Sequence, residues 1–180
     1  MKLLMHTCCA PCSIYCIDSL RDEGIEPTLF WYNPNIHPYT EYKNRKTALE
    51  EYSKLININC IIIEEYGLDN FCKNVINNLE NRCLSYCYPM RFRKLFEYAK
   101  ENGYDTVTTT LLYSIYQKHD EIKKIMEKLS KEYKINFLYR DFRIGFKKGQ
   151  EKARNLQVYM QKYCGCIFSE EDRYIKNKKR

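Results

Sequence analysis

Apolar residues in this chain come in short continuous runs, separated by stretches in which they recur every three or four positions. Lys2 to Thr7 is a short apolar run, and Ser13 to Glu23 follows with Ile14, Ile17 and Leu20 at helical spacing before Gly24. The pattern predicts a strand, then a helix. Pro27 to Tyr32 (PTLFWY) and Thr40 to Leu55, with Ala48, Leu49 and Tyr52 on one face, make a second such pair. Cys60-Ile61-Ile62-Ile63 is a β-branched run of the buried-strand type, followed by a helical pattern from Leu68 to Leu79 with Phe71, Val75 and Leu79 spaced by four. A break is expected at Asn81-Arg82-Cys83. Pro89 suits the first turn of the next helix, which carries Phe92, Leu95, Phe96 and Ala99 and closes at Gly103.

Asp105 to Leu112 reads as a fourth strand, followed by a helix from His119 to Tyr133. Ile135 to Tyr139 reads as a fifth, followed by a helix from about Lys148 to Gln161. Five strands each followed by a helix imply an α/β fold, a parallel sheet of about five strands with helices on both faces. The 180 residues show no repeat and no linker, so a single domain over 1–180 is expected, with a frayed basic tail at 176–180. No run approaches the ~18 apolar residues of a membrane span, and the opening Met1-Lys2-Leu3-Leu4-Met5 is too short for a signal-peptide core. A cytoplasmic protein is expected.

The formal net charge of +7 would suit a nucleic-acid partner, but the accompanying richness in Lys, Asn, Ile and Tyr is also what a biased genome composition produces. The ten cysteines change the picture more. A cytosolic chain of this length needs no disulfides to fold, so this many thiols point to metal or redox chemistry. Cys8-Cys9-Ala10-Pro11-Cys12 falls where the first strand meets the first helix. There a helix N-terminus favours thiolate, and parallel α/β sheets bind their ligands. Cys83 and Cys87 form a C-x3-C pair with no second pair of zinc-ribbon spacing, so their partners must come from elsewhere in space, with Cys8, Cys9 and Cys12 as the candidates. Four thiolates without histidine suit structural zinc or an iron–sulfur cluster. Cys164-Gly165-Cys166 can close only a small strained ring, which suits a redox-active dithiol, with metal ligation by one of the two as the rival. Cys16, Cys60 and Cys72 read as core residues, and His6 as a structurally satisfied histidine. Arg82, Arg91, Arg140 and Arg143 are candidates for phosphate contact near the same sheet edge. No Gly-rich nucleotide loop is present.

Taken together, HTCCAPCS (6–13), YNPNIHP (32–38), RCLSYCYPMR (82–91), TTTLLYSIYQKH (108–119), RDFRIGF (140–146) and QKYCGCIFSEED (161–172) resemble the epoxyqueuosine reductases of the QueH type. The resemblance runs in order through nearly the whole chain. It implies a fold similar to the adenine nucleotide α-hydrolases, and cobalamin-independent reduction of epoxyqueuosine to queuosine at the wobble position of tRNA. It further implies a [4Fe–4S] cluster held by Cys8, Cys9, Cys83 and Cys87, a redox pair Cys164 and Cys166, and Cys12 as ligand of an additional iron. An electron donor, not identified by the sequence, is also required. The family's middle pair is expected as C-x2-C, and here three residues separate Cys83 from Cys87. Two other classes fit the residues alone: a zinc-holding RNA-binding module, and a thiol–disulfide oxidoreductase without metal.

Overall fold

The computed structural model describes residues 1–175; the basic tail expected at 176–180 lies outside the described residues. Five parallel strands, β1 (Leu3–His6), β2 (Thr28–Trp31), β3 (Cys60–Ile62), β4 (Thr106–Thr109) and β5 (Asn136–Phe137), form one sheet in the order β3-β2-β1-β4-β5. The central strands β1 and β4 are buried along their whole length and pair from Leu3↔Thr106 to His6↔Thr109, which explains their continuous rather than alternating apolar character. Right-handed crossovers send α1 (Ala10–Asp22) and α2 (Tyr39–Leu55) to one face. They send α4 (Tyr88–Glu101) and α5 (His119–Tyr133) to the other, because the chain moves outward from β1 in opposite directions. The strand order therefore reverses between β1 and β4, and the crevice beyond their carboxyl ends is where such sheets bind ligands.

The core is aromatic-rich: Phe30, Trp31, Tyr52, Phe92 and Phe96 are fully buried or nearly so. Helix α1 also packs on α6 (Phe146–Asn155), through Tyr15 against Gly145 and Lys152 to Asp18 at 2.6 Å.

Several boundaries differ from the sequence pattern. The helix expected over 68–79 ends early as α3 (Leu68–Val75), and a 3-10 turn at Leu79–Asn81 follows. The expected break at 81–83 is instead a wide turn over Cys83–Cys87 in which the Tyr88 N–H donates to the Cys83 carbonyl, running directly into α4 with Pro89 in its first turn. Strand β4 stops at Thr109 and turns into a 3-10 segment, Thr110–Tyr113. Helix α6 ends at Asn155 rather than Gln161, and a further helix, α7 (Ile167–Tyr174), has no counterpart in the sequence pattern. Among the described residues no helix is long and apolar enough to cross a membrane.

Candidate active site

The site is built first from the turn between β1 and α1. Cys9 is the N-cap of α1 and makes no side-chain cap, while Pro11 occupies its first turn, where a missing N–H costs nothing. The turn is held across the sheet's reversal point. The Cys8 N–H donates to Thr110 Oγ1 at 3.2 Å, and that hydroxyl donates to Cys8 Sγ at 3.5 Å. Beneath it, the His6 ring bonds Thr109 Oγ1 through Nδ1 (3.0 Å) and Asn33 Oδ1 through Nε2 (3.2 Å), and the Asn33 amide donates to the Thr7 carbonyl. Complete burial pushes the His6 pKa down to about 3, so the ring is neutral and supports the loop as the sequence suggested.

Cys8, Cys9 and Cys12 point their sulfurs to one place, all within 4.8 Å of one another, with Cys8 and Cys9 sulfurs 3.7 Å apart. Among the described residues this is the group of three or more potential ligands that meets such a spacing. Hydrogen bonds from Cys12, Cys9 and Thr110 hold Cys8 well below the usual thiol range, whereas burial keeps Cys9 up and the neighbouring Cys8 and Cys9 sulfurs keep Cys12 up. One proton leaves easily and the next two are resisted, because three thiolates packed together in apolar surroundings repel. A cation removes that resistance. Soft donors, burial and convergence together suit a thiophilic metal.

Cys83 and Cys87 sit one helical turn apart on the wide turn before α4, so their i, i+4 spacing brings the two thiols together. The Cys87 thiol, then the Arg91 and Arg82 guanidiniums, lower the Cys83 pKa to about 6 against the cost of burial, and Cys87 is pushed up in turn. Arg91 is buried, donates through Nε to the Cys87 carbonyl at 2.8 Å, and also acts on Cys164 and His6. It therefore acts on Cys83, Cys87 and Cys164 together.

The Cys164-Gly165-Cys166 loop is clamped by α2. Buried Arg45 donates to the Cys164 and Tyr163 carbonyls at 2.8 and 2.9 Å while pairing with Glu41 at 2.6 Å, the His37 N–H donates to the Gly165 carbonyl, and Tyr163 OH donates to the His37 carbonyl. Gly165 adopts φ +156°, and a Cβ there would meet Ile36 and the Arg45 guanidinium at 3.3 and 3.4 Å, so glycine is required between the two cysteines. Cys166 is buried against Phe71, Val75 and Cys87, with Arg82 beside it. Cys164 is exposed to a cavity yet surrounded by protein, which raises its pKa, and Gln117 donates to its sulfur at 3.2 Å.

Cys8, Cys12, Arg91 and Cys164 all line one cavity of about 1100 Å³, above the reversal point of the sheet. Two groups of thiols thus emerge around it. The structure joins Cys12 with Cys8 and Cys9, and sets Cys83 and Cys87 beside Cys164 and Cys166. Of the four arginines singled out from the sequence, only Arg91 lines the cavity. Arg82 is tied to Asp172 at 2.6 Å and to the Leu79 carbonyl. Arg140 pairs with Glu23, just past the C-terminal end of α1 and away from the cysteines, and Arg143 pairs with Asp141. Sequence reasoning missed Gln161, which donates to Cys9 and Cys12 sulfurs at 2.9 and 3.5 Å, as well as Gln117 and the Glu41–Arg45 clamp. Gln161 opens the QKYCGC segment, but only its place against the sulfurs distinguishes it.

A likeness at the level of the fold is found with a Methanocaldococcus jannaschii protein described as a predicted subunit of tRNA methyltransferase, at TM-score 0.52 and 15% identity over 84% of this chain and 74% of that one. Curated relatives are much nearer in sequence. The Epoxyqueuosine reductase QueH of Dehalococcoides mccartyi is 35% identical over 97% of this chain and 96% of its own length. Those of Acinetobacter baylyi and Thermotoga maritima are 34% and 29% identical, over 95% and 93% of this chain and 81% and 89% of theirs. The profile of the family described as Epoxyqueuosine reductase QueH matches residues 3–172, a span that includes every cysteine discussed above. The chain is an oxidoreductase and belongs to the epoxyqueuosine reductase QueH family.

Proposed function

We propose that this enzyme reductively deoxygenates epoxyqueuosine in tRNA, giving queuosine. In the proposed arrangement Cys8 and Cys9 from one thiol group and Cys83 and Cys87 from the other hold a [4Fe–4S] cluster, Cys12 offers a ligand to an additional iron, and Cys164 with Cys166 forms a redox dithiol. The observation that carries the reading is the convergence of Cys8, Cys9 and Cys12 sulfurs at the floor of a cavity whose wall contains Cys164. It is supported by the family and by the soft, imidazole-free donor set. When bound, the iron centre would supply one-electron transfer and Lewis acidity.

The chain's own residues account for the rest. Both C–O bonds of the epoxide break, the oxygen leaves as water after taking two protons, and a C=C bond forms, so two electrons and two protons must be delivered. Oxidation of the Cys164–Cys166 dithiol to a disulfide releases that number of each, and an external thiol reductant returns the disulfide to the dithiol. Arg91 holds thiolate character at Cys83, and the amides of Gln117 and Gln161 donate N–H to sulfur, which stabilises the thiolate forms.

Anaerobic purification followed by iron, sulfide and zinc analysis tests the reading. Brown protein with about five iron, four of them in the cluster, and about four sulfide is expected, with the cluster lost in Cys8→Ala and Cys87→Ala. Cys166→Ser should keep full iron but lose reduction of the epoxide, because a single thiol cannot supply the two electrons. Colourless protein with stoichiometric zinc would replace the cluster by a structural metal, and iron loss in Cys166→Ser would make that residue a ligand.

A further inference from the structure

The cavity is lined by six cations, and among its described lining residues Asp172, paired with Arg82, is the one carboxylate. Arg45 and Arg91 lie inside, already bound to protein groups. Lys147 and Arg154 on α6, Lys162 on the loop before the CGC segment, and Arg173 on α7 are exposed at its mouth, and none of these four forms an ion pair among the described residues. This differs from the smaller cavity of about 290 Å³ beside α2, where Lys43 and Lys46 are balanced by Glu50, Glu64 and Glu65. Unbalanced positive charge around a concave surface focuses the field there and attracts a polyanion.

Two aromatic rings stand among these cations. Tyr116 is 81% exposed and Tyr174 58% exposed, and both line the same mouth; Tyr116 is propped edge-on by Phe146 at 5.9 Å. Exposed rings interleaved with cations suit an unstacked nucleic-acid strand, whose phosphates and bases alternate on the same scale. An acidic protein would use the charge but leave the rings without a role.

We propose that this mouth is a docking surface for a single-stranded RNA loop. Lys147, Arg154, Lys162 and Arg173 receive its backbone phosphates, and Tyr116 and Tyr174 stack unpaired bases flanking the nucleotide that enters the cavity. The inference rests on the proposed tRNA substrate and assigns its binding to α6, α7 and the loop between them, rather than to Arg140 and Arg143.

The test uses the full-length protein and a fluorescently labelled anticodon stem-loop, with binding followed by anisotropy at low and moderate salt. Lys147→Glu/Arg154→Glu should weaken binding at least tenfold and flatten the salt dependence by about 0.7 in logarithmic slope for each phosphate no longer neutralised. Lys128→Glu/Lys131→Glu, an equal charge change on exposed α5 residues that do not line the cavity, should leave binding near wild type. Tyr116→Ala should weaken binding and Tyr116→Phe should restore it, since stacking needs the ring and not the hydroxyl. Equal losses in the two charge-reversed pairs, or none in either, would overturn the proposal. Turnover of the free epoxyqueuosine nucleoside separates the two readings. If the wild type binds RNA as expected but reduces neither the nucleoside nor the modified stem-loop, the surface stands and the chemistry fails.

Discussion

Arg45 is buried, stands 119 residues before Cys164 in sequence, and is bonded at every nitrogen: Nε to Glu41, and the two outer nitrogens to the Cys164 and Tyr163 carbonyls. Its carboxylate partner Glu41 also accepts from Tyr159 OH. Replacing Arg45 by Met leaves a buried carboxylate without its cation and two carbonyls without a donor, which typically costs about 3–5 kcal/mol. Arg45→Met should therefore unfold at markedly lower urea, and the Cys164 thiol should react faster with an alkylating reagent. An unchanged midpoint would show that the clamp contributes little. Nothing in the sequence signalled this pair. An i, i+4 Glu–Arg on a helix reads as an exposed surface pair, and only the return of the C-terminal segment over α2 buries it.

At the scale of elements, α6 approaches the turn after β4 as closely as it does because position 149 carries no side chain. A Cβ on Gly149 would run into the Tyr113 hydroxyl, which donates to the Phe146 carbonyl at 2.9 Å. Gly149→Ala would gain about 1 kcal/mol of helix propensity. The overpacking costs about 1–3 kcal/mol, so net destabilisation is expected, read as a lowered thermal midpoint; a raised midpoint would mean that Tyr113 moves aside freely. The strands and the helices from α1 to α5 were legible because long-period and continuous apolar patterns reflect burial directly. The wide turn at Cys83–Cys87 was not, since Asn81, Arg82 and Ser85 carry the polarity of a break while the turn is fixed by packing on α3 and α4. Helix α7 was missed because it has eight residues and no buried face. At the site, the CCAPC turn, the C-x3-C pair and the CGC loop were visible as cysteine spacings. Their division into two groups was not, because it depends on which strand ends stand side by side. The pairing of the arginines was not legible either: Arg140 and Arg143 follow a strand and each meets a carboxylate, Glu23 and Asp141.

The acid stability of the whole molecule is set in part by His37, buried with both ring nitrogens unpartnered among the described residues, against the rings of Tyr66 and Phe71. Burial lowers its pKa to about 4, opposed weakly by the Pro34 carbonyl, and no charged side chain contributes to the shift. The unfolded chain takes up a proton near pH 6.5 and the folded chain does not until about pH 4. This contribution to stability is therefore complete above about pH 7 and is lost as pH drops between those values, by about 3 kcal/mol in all. His37→Phe should reduce the slope of urea-unfolding free energy between pH 6.5 and 5, a range in which most carboxylates remain ionised, leaving the share of buried His6, whose pKa is lowered still further. An identical slope in the variant would place the acid sensitivity elsewhere.

The amide of Gln161 closes over Cys9 and Cys12, and it lies 149 residues after Cys12 in the chain. During synthesis at roughly 5–20 residues per second, the cysteine turn leaves the ribosome on the order of ten seconds before its cover exists. The Arg45 clamp is completed at the same late stage, because the carbonyls it holds belong to residues 163 and 164. For most of its birth the thiol-rich turn is thus an open harbour. A metal donor would have its easiest access while the chain is still nascent, before residues 161–164 are made and shut the door.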